Sequence, residues 1–237
     1  MDQTSDPQSI TTLDQLLALN GPIAEASIKK EVSFVHPLYR AIIEASPFAV
    51  LATSGPDGLD ASPRGDLPGF VQVLDEHTLL LPDRRGNNRT DSLRNILADP
   101  RVALLFFVPG VTETLRVNGK ASISIDPALL ARFSMEGKLP KCVVVIHVET
   151  VFYQCARAIH RSRLWERAAS ETRPDVPTPG AILQALTDSA FDGEKYDRDL
   201  PGRQRARRCT RSYPKKWIWR DHNPRASRGD CDLAAHC

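Results

Sequence analysis

Apolar positions change their spacing several times along the chain, and each change marks a new kind of element. In residues 10–19 they fall at Leu13, Leu16, Leu17 and Leu19, the pattern of a short amphipathic helix that Asn20-Gly21-Pro22 stops. A second helix is predicted over about residues 37–45, with Pro37 near its start and Ser46-Pro47 at its end. Strand patterning then takes over. Residues 48–53 form a short apolar run, Gly55-Pro56-Asp57-Gly58 is a turn, and residues 59–64 return antiparallel to it. Residues 69–74 and 78–81 read as a second hairpin about Asp75-Glu76-His77, and a helix is predicted over about residues 90–97 before Asp99-Pro100.

Residues 102–108 are apolar on both faces and read as a central strand. The stretch 114–125 alternates, with Val117, Ala121, Ile123 and Ile125 inward and Asn118, Lys120, Ser122 and Ser124 outward. A helix from Asp126-Pro127 to about Met135, a last long strand over 143–152 and a helix over 155–165 follow. A Pro-rich linker over 170–180 and one more helix over 181–191 complete the pattern. Six or seven strands with tight turns, and helices only at the corners, predict a mainly β fold with peripheral helices. A closed antiparallel barrel suits this better than a parallel α/β sheet. The expected layout is an N-terminal helical extension (1–46), a barrel domain (47–168), a linker and helix (169–202) and a basic, disordered tail (203–237).

Charge sharpens the last of these. Of the 31 Lys and Arg residues, 10 lie in residues 203–237 against 3 Asp and Glu, while residues 1–202 carry 21 basic and 26 acidic residues. A specific nucleic-acid binder is not built this way, and a tail without apolar periodicity need not fold. No apolar run approaches the roughly 20 residues of a membrane span, and the acidic start lacks a secretory n-region, so a cytoplasmic location is expected. Cys142, Cys155, Cys209, Cys231 and Cys237 include no CxxC pair and are expected as free thiols. Cys231, His236 and Cys237 are too few and too terminal to predict a metal site, and Cys155 is expected as a buried small hydrophobe.

Candidate chemistry lies in three clusters at strand ends: Ser62-Pro63-Arg64-Gly65-Asp66, Asp83-Arg84-Arg85-Gly86-Asn87-Asn88-Arg89 and Glu113-Thr114-Leu115-Arg116. Arginine offers a phosphate monoester matched charge and a bidentate fork, and a loop at a helix N-terminus adds backbone N–H donors. In the second cluster Gly86 permits close backbone approach, and an Asn stands where an N-cap is expected. No GxGxxG or Walker motif is present.

In this order and spacing the run SPRGD, GFV, LLLPDRRGNNR, DSLRNIL, VALLF and ETLRVNGKA resembles the pyridoxamine 5′-phosphate oxidase-like split barrels that bind flavin mononucleotide (FMN). It is most similar to a bacterial subgroup described as FMN-dependent enzymes. The resemblance covers about residues 45–165 and implies a split β-barrel, an FMN cofactor and a homodimer with the flavin at its interface. It assigns Arg64, with Gly65, to the flavin ring and phosphate, and Leu81 and Pro82 to the strand end beside the isoalloxazine. Arg85, Asn87, Asn88 and Arg89 stand where the family's phosphate loop lies, though the family's lysine is missing. Thr114 stands where a glutamine touches the flavin, often from the second subunit, with Arg116 near it. Arg157, His160 and Arg161 resemble the basic residues that hold the oxidase's substrate phosphate. The altered spacing there argues against vitamin B6 oxidation itself. The implied function is flavin-dependent oxidoreduction of an unidentified small molecule. The alternative is a non-catalytic module for flavin, haem or the deazaflavin F420.

Overall fold

The computed structural model describes residues 8–84, 86, 88–168 and 175–205. Helix α1 (Leu13–Asn20) begins in a capping box, where the Thr12 hydroxyl accepts from the Gln15 N–H and Gln15 accepts in return. Its leucines bury nothing, and α2 (Glu25–Lys29), which the pattern did not announce, is equally exposed. The extension joins the sheet at one bridge, Val32 to Val151. Helix α3 (Pro37–Ala45) starts on His36, whose Nδ1 accepts from the Leu38 N–H, and sets Ile43 fully into the core.

The sheet then forms in hairpins. Strands β1 (Phe48–Gly55) and β2 (Gly58–Gly65) pair in full register, with Ala49 opposite Arg64 and Thr53 opposite Asp60. Strands β3 (Gln72–Asp75) and β4 (Thr78–Asp83) form the second hairpin, and α4 (Asp91–Ala98) packs on β1. Strand β5 (Arg101–Phe107) is followed by β6 (Thr114–Ser124), short helix α5 (Pro127–Ala131) and β7 (Cys142–Gln154). Helices α6 (Arg157–Ser162), α7 (Leu164–Ala168), α8 (Pro179–Leu186) and α9 (Gly193–Arg205) end the described chain.

All seven strands share one antiparallel sheet in the order β2-β1-β5-β6-β7-β4-β3. It is not closed: β2 and β3 are its edges, so the barrel is split rather than complete. One face carries the main core, including Leu51, Phe106, Leu104, Leu115, Val117, Leu79, Leu81 and Ile146. A smaller cluster on the other side of β4 and β7 sets Leu80 and Val143 against Phe133 near α5.

Several expectations are corrected. Ile125 is 74% exposed rather than inward, because β6 ends at Ser124 before the alternation does. The helix expected to reach Met135 stops at Ala131, and residues 135 and 138 instead form a bridge around Gly137 at positive φ. The single helix expected over 155–165 is two, broken where Arg163 adopts a left-handed conformation. Strand β5 is central as expected, between β1 and β6, and of its two apolar faces one is fully buried while Ala103, Leu105 and Phe107 on the other are half-buried. The helix expected over 181–191 ends at Leu186, and α9 runs through Pro201 to Arg205, past residue 203 where the tail was expected to begin. Most of the basic tail, from residue 206, lies outside the described residues.

Candidate functional site

Strand β2 alternates, and its residues Asp60, Ser62 and Arg64 share the face of Thr53, Leu51 and Ala49. On an edge strand that face has no further strand to cover it, so helix α4 supplies the partners. Ser92 of α4, buried, donates to Asp60 at 2.6 Å, and Ser62 donates to the same carboxylate oxygen at 3.0 Å. Arg64 Nη2 donates to the Ser92 hydroxyl at 3.0 Å and Nη1 to Asp83 at 3.1 Å. Its Nε is buried and has no hydrogen-bond partner among the described residues.

Asp83 is the last residue of β4, so the Arg64–Asp83 pair spans strands that share no ladder. A second pair runs the other way, from Arg84 Nε to Asp66 at 3.1 Å, with Arg84 Nη1 also donating to the Phe133 carbonyl at 2.7 Å. Two reciprocal ion pairs thus hold the split together where backbone bonds do not. Asp83 also lies opposite Cys142, whose thiol is pushed up by burial and further by the Asp83 carboxylate.

Beside these pairs opens a cleft of about 540 Å³, lined by Arg64, Asp83, Arg84, Arg89 and Lys141, with Asp60, Ser62 and the start of α4. Its charged side chains are four basic and three acidic, an excess that suits an anion. Thr90 at the N-cap of α4 makes no side-chain bond to the first turn, which leaves that end of the helix open to the cleft. The cap is therefore Thr90 rather than an Asn. Asn88 sits at positive φ and accepts from Lys141 Nζ at 2.7 Å, while Arg89 is paired with Asp91. Arg85 and Asn87 lie outside the described residues.

The first two arginine clusters therefore converge, and the third does not. Leu115 lies in the row of Phe106, Ala49 and Arg64, whereas Arg116 lies in the row of Leu105, Val50 and Pro63. Arg116 thus faces the opposite side of the sheet from Arg64, over the Phe152 ring at 5.3 Å, and Thr114, which is buried, shares its side. Leu81 and Pro82 are buried, Leu81 within the main core. Arg157, His160 and Arg161 are exposed on α6. Cys155 is exposed, not buried as expected, because the chain has left β7 by that point. The sequence reading missed Asp60, Ser92 and Lys141 as site residues, and it named Asp83 within the second cluster without a role. The alternate placing of Asp60, Ser62 and Arg64 on an edge strand was a readable signal; nothing marked Lys141.

An open antiparallel barrel, split at a seam where arginines and carboxylates meet beside a helix N-terminus, places the chain in the split-barrel class of β folds. Residues 35–155, just over half of the chain, match the family model for pyridoxamine 5′-phosphate oxidase, and the chain belongs to that family. No protein with a curated description matches it. Among solved structures it is similar to HupZ of Group A Streptococcus, at 21% identity over 48% of this chain and 89% of that one, with a TM-score of 0.41. General stress protein 26 of Bacillus anthracis is similar at 21% identity, over 48% and 88%, with a TM-score of 0.37. An FMN-binding protein of Syntrophomonas wolfei is similar at 13% identity, over 49% and 83%, with a TM-score of 0.39. The family match, rather than these remote likenesses, is what bears on function. Among the described residues no helix is long and apolar enough to cross a membrane, and no group of three metal-ligating side chains occurs.

Proposed function

We propose that this chain binds FMN with its phosphate in the Arg64 cleft and acts as a flavin-dependent oxidoreductase on a small molecule. The observation that carries the reading is Arg64 itself. Its guanidinium is oriented by two hydrogen bonds, yet its buried Nε lacks an acceptor among the described residues. A buried donor without a partner costs about 1–3 kcal/mol, which a phosphate oxygen at this place would recover. Arg84, Arg89 and Lys141 add charge around it, and the open start of α4 adds N–H donors. When bound, FMN supplies the hydride or electron chemistry. The chain's own residues hold the phosphate and, through the buried walls of β4, exclude water from one side of the site.

The same reading makes the working unit a homodimer. Arg64 and the Thr114–Arg116 pair face opposite sides of one sheet, so one chain cannot bring both to a single ligand. Two chains can, if the outer face of one meets the cleft of the other. The half-buried apolar positions Ala103, Leu105 and Phe107, with Phe48 exposed beside them, give that outer face an apolar surface to cover. Arg157, His160 and Arg161 on α6 are then the candidate contacts for a substrate's anionic group.

The test is a flavin-fluorescence titration of Arg64→Ala and Arg89→Ala with FMN and with riboflavin, which lacks the phosphate. Loss of a charge-assisted bond should weaken FMN by roughly 10- to 150-fold, while riboflavin changes little. Equal losses for the two ligands would overturn the phosphate assignment.

A further inference from the structure

We propose that the Asp83 carboxylate is a built-in competitor for the anion at Arg64, so that ligand uptake exchanges the β2–β4 ion pair for a ligand oxygen. The identity of the ligand rests on the FMN reading; the competition does not. The two seam pairs are not equivalent. Arg84 is anchored twice, to Asp66 and to the Phe133 carbonyl, so that pair has a second hold and need not yield. Asp83 is held through its side chain by Arg64, which lies only 21% exposed against it. Arg64, in contrast, has a second anchor in Ser92 at 3.0 Å. If Asp83 lets go, Nη2 stays on Ser92 and the guanidinium keeps its place, with Nη1 left to an incoming oxygen. The neighbouring Asp60 is engaged elsewhere, since Ser62 and Ser92 both donate to one of its carboxylate oxygens.

An internal carboxylate at this point does two things. It satisfies part of Arg64 when no ligand is present, which keeps the seam joined. It also sets a threshold, since a ligand must outbid a charged neighbour and accept the repulsion of the displaced carboxylate. A dianionic phosphate can do so; a neutral ligand gains nothing from trying.

The experiment compares the full-length chain with Asp83→Asn, which keeps the side chain's shape and removes its charge. Inorganic phosphate is titrated by thermal shift, and FMN and riboflavin by fluorescence. Asp83→Asn should melt lower than the parent without ligand, bind phosphate and FMN about tenfold more tightly, and bind riboflavin unchanged. The gain should vanish in an Arg64→Ala background, where there is no guanidinium to release. Equal phosphate affinity in the two chains overturns the competitor role, whatever flavin does, and so does phosphate that stabilises neither. If phosphate stabilises Asp83→Asn more strongly while FMN binds neither chain, the flavin reading falls and the competitor stands. Where Asp83→Asn fails to fold, Asp83→Ser is read in the same way.

Discussion

Gly119 shows how closely β6 and β7 approach. It sits where their register shifts, and a Cβ there would meet the His147 carbonyl oxygen at 2.0 Å. That neighbour is backbone in the middle of the sheet and cannot step aside. Gly119→Ala should therefore cost about 2–4 kcal/mol in denaturant unfolding, as overpacking against rigid structure does. A cost under about 0.5 kcal/mol would show that the strands part easily. Asp99 makes the residue-level electrostatics equally concrete. Hydrogen bonds from Arg101, first through its side chain and then its backbone N–H, hold the Asp99 carboxyl down at about 2. Its ordinary value is about 3.9, so the pair favours the fold at pH values above that and ceases to as pH falls through about 2. Both side chains meet solvent, so the clearer readout is local: an NMR titration of Asp99 should move up toward its ordinary midpoint in Arg101→Ala.

At the scale of elements, α4 is held to β1 by a contact without slack. The Cβ of an alanine at Gly55 would lie 2.1 Å from Asn95 Oδ1, and Asn95 Nδ2 donates to Thr53 at 3.1 Å. Gly55→Ala should displace the helix and cost about 1–3 kcal/mol, and adding Asn95→Ala should return part of that loss, because the obstructing atoms are mainly a side-chain tip. Additive losses in the double variant would mean that the two residues do not meet. Elements of this kind were legible where alternation or a cap signalled them: the seven strands, α3 and α4 follow from apolar spacing and from Pro37 and Asp99-Pro100. The break at Arg163 was not, since a left-handed arginine carries no mark that glycine would. Helix α9 was hidden because it has almost no apolar face. It is secured by Asp192, which accepts from the Lys195 N–H, and by Asp197, which accepts from the Gly180 N–H. In the site, Arg64 and the 83–89 loop were legible as arginines in unusual places. Their pairing was not, because Asp83 becomes a partner only when residues 19 apart in sequence meet across the split.

On the scale of the whole molecule, the opposite facing of Arg64 and Arg116 makes a prediction about mixing. Arg64→Ala and Arg116→Ala chains should each bind FMN poorly alone. Unfolded together and refolded, half of the dimers pair one of each, and one of the two sites in such a dimer has both arginines. About a quarter of full FMN capacity should return. If none returns while each variant still dimerises, the two arginines serve one site within one chain, and the composite site is wrong. The edge of the sheet has its own consequence. Pro63 lies within β2, a margin strand, and proline has no N–H to offer a newcomer. A row of donors interrupted there is a poor template, so crowded copies of the chain cannot readily stack margin to margin into a growing fibre. The open margin of the split is thereby kept from becoming an aggregation front.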